Sequence, residues 1–214
     1  MKVAIIRFLG TNCEFDTAYA FAKIGIKADI VWHEETEFKA DLVVLPGGFS
    51  YGDYLRSGAI AKFAKAMRGV LAHAQKGGFV LGICNGFQML LELGLLKGAM
   101  KHNENLSFIS KNQPLKVISN NNALCKNFAQ NELISLPIAH GEGNFFANES
   151  DLKYLQDKDL ITLKYKGNPN GSLDDIAGIC DEKKRIFGLM PHPERACEQL
   201  LGSEVGLKML KGFV

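Results

Sequence analysis

FVLGICNGFQMLLELG, residues 79–94, joins an apolar run to a helical pattern with no linker between them. Phe79–Ile83 shows no polar alternation, as expected of a strand buried on both faces of a sheet. Asn85–Leu93 carries its apolar residues at helical spacing. A strand that runs straight into a helix is the repeating half-unit of a parallel α/β sheet. The preceding residues continue the alternation. Val3–Phe8, Ala28–Trp32 and Leu42–Leu45 read as strands. Glu14–Gly25 reads as a helix with Phe15, Ala18, Tyr19 and Ala22 on its apolar face, and Ser57–Gln75 as one long helix ended by Gly77-Gly78. Downstream the pattern changes. Leu106–Ser110 and Leu115–Ser119, separated by turn formers around Pro114, predict a hairpin. Leu133–Ala139 and Leu160–Tyr165 read as further strands, and Ile176–Asp181 with Arg185–Met190 as a second hairpin. Ser203 is positioned to cap a last helix over Glu204–Lys211. No linker divides the chain, so a single domain over 1–214 is expected.

The 214 residues suffice for one α/β domain with a full core, and 47% hydrophobic with 22% charged residues is ordinary globular composition. The net charge of +2, with both signs interspersed, argues against a nucleic-acid or anionic-membrane surface. The N-terminal apolar run is too short for a signal peptide or a membrane span and contains Arg7. Five cysteines, an odd count without a CxxC pair, argue against a disulfide framework and for a reducing, cytosolic compartment. In such a compartment the sequons at Asn148 and Asn170 are coincidental.

Gly82-Ile83-Cys84-Asn85-Gly86 has the form of a nucleophile elbow with cysteine in the place of serine. A nucleophile on a strand-to-helix turn sits in a strained backbone conformation, with φ > 0 expected, and needs small neighbours for the turn to close. The helix that follows points its N-terminus at the sulfur and favours thiolate. An isolated cysteine in an apolar stretch is ordinarily a small core residue; the two glycines and the strand–helix context reverse that reading for Cys84. Cys125, Cys180 and Cys197 keep it. Cys13 stands apart because it lies close to the carboxyl end of the first strand.

A thiolate needs a proton carrier, and the carrier needs orienting. Met190-Pro191-His192-Pro193-Glu194 offers both, with His192 just beyond an apolar run. In an extended segment residues i and i+2 face the same side, so Glu194 can hold the imidazole tautomer. His33, His73 and His102 read as surface or partly buried residues. Leu45-Pro46-Gly47-Gly48-Phe49 follows another strand. Glycines there let backbone N–H groups approach a ligand, and an acyl-transfer site needs two donors for its oxyanion. The N–H groups of Gly48 and Asn85 are assigned that role. No GxxxxGK[ST] phosphate loop is present.

At this point the chain resembles the class I, or triad, glutamine amidotransferases. Within them it is similar to the branch formed by glutaminase subunits of phosphoribosylformylglycinamidine synthases. The resemblance spans nearly the whole sequence. It rests on RFLGTNCE at 7–14, PGGFSYGDYLRSGAIA at 46–61, GICNGFQ at 82–88, PIAHGEG at 137–143, NPNGS at 168–172 and GLMPHPER at 188–195. Two stretches depart from the pattern: Asn144 ahead of Phe145-Phe146, and Met100-Lys101-His102 within 97–103.

The resemblance implies a flavodoxin-like α/β fold, a mostly parallel central sheet flanked by helices with added antiparallel strands. It implies that Cys84 attacks the carboxamide of L-glutamine, that His192 shuttles the proton and that Glu194 orients His192. It implies substrate contacts from Gly47, Phe49, Gln88, His140, Gly141 and Glu142. It also implies that ammonia passes to a large synthetase subunit, with a small bridging subunit between the two. ATP and magnesium would bind on that partner, and no cofactor or metal on this chain. The rival readings are a glutaminase serving a different synthetase, a stand-alone cysteine hydrolase and a non-catalytic docking subunit. The long block at 49–61 favours the first-named branch, and the intact Cys84, His192 and Glu194 set argues against the docking subunit.

Overall fold

The computed structural model describes all 214 residues. The elements run β1 (Val3–Arg7), α1 (Glu14–Lys23), β2 (Ala28–Trp32), β3 (Leu42–Leu45), α2 (Ala66–Gln75), β4 (Phe79–Ile83) and α3 (Asn85–Glu92). There follow β5 (Ala99–Lys101), β6 (Ile109–Val117), β7 (Leu133–His140), β8 (Asn144–Phe146), α4 (Glu149–Asp157) and β9 (Ile161–Tyr165). The chain closes with β10 (Ile176–Cys180), β11 (Ile186–Leu189) and α5 (Val205–Leu210).

Nine strands form one sheet in the order β2-β1-β3-β4-β11-β10-β9-β6-β7. The first five are parallel, in the flavodoxin-like order, and the other four pair antiparallel. The sheet is therefore mixed, with a parallel core. β3 is buried throughout and β4 from Val80 to Ile83, as expected for strands covered on both faces. The β10–β11 hairpin forms as predicted.

The hairpin predicted around Pro114 does not form. Residues 109–117 are one continuous strand, β6, paired with β7 on one side and β9 on the other. Pro114 survives inside it because its missing donor is replaced. Lys166 N–H donates to Pro114 O at 2.9 Å, and the reciprocal ladder bond that proline cannot make is supplied by the Gln113 side chain. Its Nε2 donates to the carbonyls of Lys166 and Gly167, each at 3.0 Å. Gln113→Leu strips those part-buried carbonyls of their donor. It is expected to cost about 0.5–1.5 kcal/mol in urea unfolding.

Three further expectations are corrected. The helix predicted over 57–75 begins only at Ala66. Gly58 (φ +78) approaches so closely that a Cβ there would lie 2.8 Å from Met89 N, and Ala64 is extended. The face assigned to α1 is inverted. Phe15 and Tyr19 are exposed, while Thr17, Ala20 and Phe21 are buried with Glu14, which pairs with Arg7 at 2.9 Å. Phe15 covers the Arg7 guanidinium instead of packing on the sheet. Finally, α5 starts at Val205, with Ser203 Oγ accepting from Val205 N–H rather than serving as the N-cap.

Helix α4 had no counterpart in the sequence reading. Asn148 caps it, its side chain accepting from Asp151 N–H at 2.8 Å. The two stretches that depart from the family pattern lie opposite each other. β5 and β8 pair Met100 with Phe145 and Lys101 with Asn144, and Phe145 stacks on Phe87 of α3. No helix is long and apolar enough to cross a membrane. All five cysteines are free and buried.

Candidate active site

Three neighbouring strands end together and deliver the site. β4 and β11 are parallel, with Ile83 opposite Leu189, so Cys84 and the segment leading to His192 leave the sheet side by side. Cys84 N–H donates to Leu189 O at 2.8 Å. β3, on the other flank of β4, ends in Pro46-Gly47-Gly48.

Cys84 has φ +50 and ψ −105, the strained turn anticipated for an elbow. The flanking glycines are required by space. A Cβ on Gly82 would lie 2.6 Å from Gly86 O, and one on Gly86 only 1.9 Å from Leu45 O. The turn thus closes directly onto the end of β3, and α3 begins at the next residue. The Cys84 Sγ lies 3.6 Å from Ala139 O.

His192 and Glu194 are both buried, and His192 Nδ1–H donates to Glu194 Oε1 at 2.6 Å. Their meeting does not rest on an extended i, i+2 segment: Pro193–Arg195 form a single 3-10 turn that folds the carboxylate back on the ring. Backbone anchoring comes from His192 N–H to Pro137 O, 2.8 Å. Burial works against the imidazolium, but the charges of Glu194 and Cys84 outweigh it and hold His192 well above the ordinary histidine value. With Nδ1 committed to Glu194, Nε2 is left buried and without a protein partner.

Gly47 lies behind the imidazole. A Cβ there would meet His192 Cε1 at 2.7 Å and Cys13 Sγ at 3.1 Å, so this glycine makes room for the histidine and lines neither cavity described below. Gly48 (φ +146) forms an antiparallel bridge with Thr11 that uses the N–H groups of Asn12 and Phe49 and leaves the Gly48 N–H outside it. The Asn85 N–H is among the free donors of the first turn of α3.

Two cavities open onto Cys84. One, of about 200 Å³, contains Gly48, Phe49, Gln88, His140, Gly141 and Glu142 in its wall, together with Asp53 and His102. The other, of about 190 Å³, is lined by Cys13, His192 and Arg195. The sequence assigns no role to Asp53 or Arg195, reads His102 as a surface or partly buried residue, and sets Cys13 apart without a role. Cys13 Sγ lies within 4.8 Å of the His192–Glu194 pair and accepts from Arg195 Nη2 at 3.2 Å. Its place after β1 was the one available signal. The remaining cysteines stay apart from this chemistry: burial pushes the Cys125 and Cys180 thiols up to about 12.

A strand–elbow–helix carrying a cysteine beside a buried histidine–carboxylate pair is the arrangement of a cysteine-dependent acyl-transfer enzyme. The sequence profile of the CobB/CobQ-like glutamine amidotransferase domain matches residues 1–209, and the chain belongs to that family. Within it, the chain is similar to PurQ subunits of phosphoribosylformylglycinamidine synthase. It is 76% identical over 214 residues to that subunit from Campylobacter jejuni, covering all of this chain and 96% of the relative. It is 55% identical over 216 residues to that of Wolinella succinogenes, covering all of this chain and 99% of the relative. The solved structure of PurLQS from Thermotoga maritima contains a chain that superposes with a TM-score of 0.92 at 38% identity, over 99% of this chain and 96% of that one.

Proposed function

We propose that this chain releases ammonia from L-glutamine through a glutamyl thioester on Cys84, and that it supplies the ammonia to a partner synthetase of de novo purine biosynthesis. The observation that carries the chemistry is the buried His192–Glu194 pair, joined at 2.6 Å beside the end of the strand that presents Cys84. The Cys84 thiolate, its proton resident on His192, attacks the carboxamide carbon. The oxyanion that forms is received by the N–H groups of Gly48 and Asn85. His192 returns the proton to the departing nitrogen as the C–N bond breaks, leaving ammonia and the thioester. Water then attacks the thioester with His192 as base, glutamate leaves, and the thiolate is restored.

The assignment to a partner rests on the relatives. They are subunits of phosphoribosylformylglycinamidine synthase, and the solved complex is named for three components, L, Q and S. On this reading a large synthetase subunit holds ATP and magnesium and converts formylglycinamide ribonucleotide to formylglycinamidine ribonucleotide, with a small subunit bridging the two. Glutamate release from L-glutamine is the test, measured for the chain alone and with the synthetase subunits, ATP and formylglycinamide ribonucleotide. Release is expected to rise at least about tenfold in the complete mixture, which corresponds to about 1.4 kcal/mol of coupling. Equal release with and without the partners overturns the assignment to a complex and leaves a stand-alone hydrolase.

A further inference from the structure

The loop that follows β3 spends its backbone donors in a definite pattern. Phe49 N–H donates to Gly10 O at 2.9 Å, Tyr51 N–H to Leu9 O at 2.6 Å and Gly52 N–H to Phe49 O at 2.8 Å, while the Gly48 N–H is left unspent. Residues 9–10 therefore hold this loop from one side. Ser50 N–H points the other way. Its acceptor is Oδ1 of the Asn85 side chain, 3.1 Å away. The same amide donates through Nδ2 to Asp53 Oδ1 at 3.3 Å and to Gln88 Oε1 at 2.9 Å. Asn85 caps no N–H of α3, although it stands in the first turn of that helix. It is buried, as is Ser50, and neither residue lines either cavity that opens onto Cys84. An amide in such a place costs free energy unless it is hydrogen-bonded, and the bonds it makes run to the loop and to Gln88.

The loop needs a tether. Gly48, Tyr51, Gly52, Asp53 and Leu55 all have positive φ, at +146, +54, +68, +53 and +71. So many left-handed residues persist only where the surroundings hold them. The hydrogen bonds from residues 48–53 to the elbow helix, through Ser50 N–H and Asp53 Oδ1, both end on the Asn85 amide. Two oxyanion donors must converge on one oxygen, and hydrogen bonds weaken steeply with angle. The Asn85 N–H opens a helix packed on the sheet. The Gly48 N–H belongs to the strained loop, so its aim depends on how that loop is held.

We propose that the Asn85 side chain is a positioning residue for the oxyanion hole: by holding Ser50 N–H it sets the Gly48 N–H against the Asn85 N–H. The inference rests on the glutaminase reading above and gives a role to a side chain of which only the backbone was assigned one. One residue then carries one donor and registers the other. A loop that slides away from the elbow leaves Cys84, His192 and Glu194 in place. What is lost is stabilisation of charge that develops only in the transition state, so the effect falls on kcat.

Two variants break the same bond from opposite ends. Asn85→Ala removes the acceptor, keeps the backbone N–H of that position and suits a helix. Ser50→Pro removes the donor and leaves the bonds from Asn85 to Gln88 and Asp53. Ser50 opens a 3-10 turn with helical angles, and Phe49 lies outside the α region, so proline is admitted there. In the assembled complex each variant is expected to lower kcat for glutamate release about 30-fold, short of the roughly 10²- to 10³-fold that follows outright removal of an oxyanion donor. Ser50→Pro should leave the glutamine KM within about threefold of wild type. The double variant should lie within about threefold of the lower single, since one bond can be lost only once. Alkylation of Cys84 by iodoacetamide, followed by peptide mass, displaces iodide from a saturated carbon and builds no oxyanion. Its rate should stay within about threefold of wild type in every variant.

Losses that multiply in the double variant show two separate effects and overturn the proposal. Unchanged kcat with a raised KM places the action of Asn85 on Gln88 and overturns it too. Alkylation that slows in step with kcat shows a distorted elbow, with the same consequence. Should one variant fail to fold by circular dichroism, the kcat and alkylation rate of the other decide; failure of both makes the bond merely structural and the proposal falls. A wild-type complex that releases no glutamate sinks the glutaminase reading itself.

Discussion

Replacing Cys84 with alanine is expected to lower glutamate release by the assembled complex at least about 10⁴-fold, the scale at which removing a covalent nucleophile leaves only the oxyanion donors and binding. The choice of cysteine is not trivial, because His192 has two cysteines near it. Cys13 precedes α1 as Cys84 precedes α3, and its sulfur lies within 4.8 Å of the His192–Glu194 pair. Two features separate them. Cys84 lines both cavities, including the one with Gln88, Asp53 and Glu142, whereas Cys13 lines only the second. The Cys13 sulfur already accepts from Arg195, and that guanidinium occupies one approach to it. Cys13→Ala is therefore expected to keep glutamate release within about tenfold of wild type, the range of a contact that acts only through orienting a catalytic group. Losses in the reverse order would move the nucleophile to Cys13. The Cys84→Ala protein should still fold and assemble. The substitution removes one sulfur from a residue already at φ +50, where alanine is no more strained than cysteine. On the partner assignment above, synthesis from added ammonium salts then continues while synthesis from glutamine stops.

What could be read from the sequence was whatever is encoded by neighbours in the chain. Phe79–Leu93 declared a strand, an elbow and a helix because its apolar spacing changes at Cys84 and its glycines are two residues to either side. His192 and Glu194 were legible for the same reason, although the 3-10 turn that joins them was not. In the antiparallel half only the strand over 109–117 reads wrongly from the sequence, because Pro114 signals a break, and only the fold brings Gln113 against the carbonyls of Lys166 and Gly167. Helix α4 escaped notice because it buries only Leu155 and so shows little apolar periodicity. The face of α1 reads inverted from the sequence because the size of Phe15 and Tyr19 suggests core, when Phe15 lies against Arg7 and both rings are exposed. Asp53, His102, Cys13 and Arg195 reach the Cys84 cavities from four separate segments. No local spacing links them, and apart from the place of Cys13 after β1 only three-dimensional proximity identifies them.

Glu194→Gln should lower kcat by about 10³- to 10⁴-fold while leaving the glutamine KM nearly unchanged, since Glu194 lines neither cavity. Glutamine is close in size to glutamate, and its carbonyl can still accept from His192 Nδ1, so the loss is one of charge and orientation rather than of volume. Glu194 Oε2 has no hydrogen-bond donor in the wild-type site, so the new NH₂ group gains no partner there. It favours rotamers that disturb the 2.6 Å contact. Once the carboxylate charge is gone, the larger of the two charges that oppose burial is lost and the His192 pKa falls. The imidazolium needed to protonate departing ammonia is then lost at lower pH, and the alkaline limb of the kcat profile should move acidward. The stability profile must shift as well. In wild type the raised His192 pKa contributes stability that is complete below the unfolded value and is lost as pH rises through the folded one. Wild type should therefore lose denaturant resistance on the alkaline side more steeply than Glu194→Gln. A variant that loses activity with its pH limb unmoved would show that Glu194 sets only the position of His192. Unchanged kcat would remove Glu194 from the mechanism altogether.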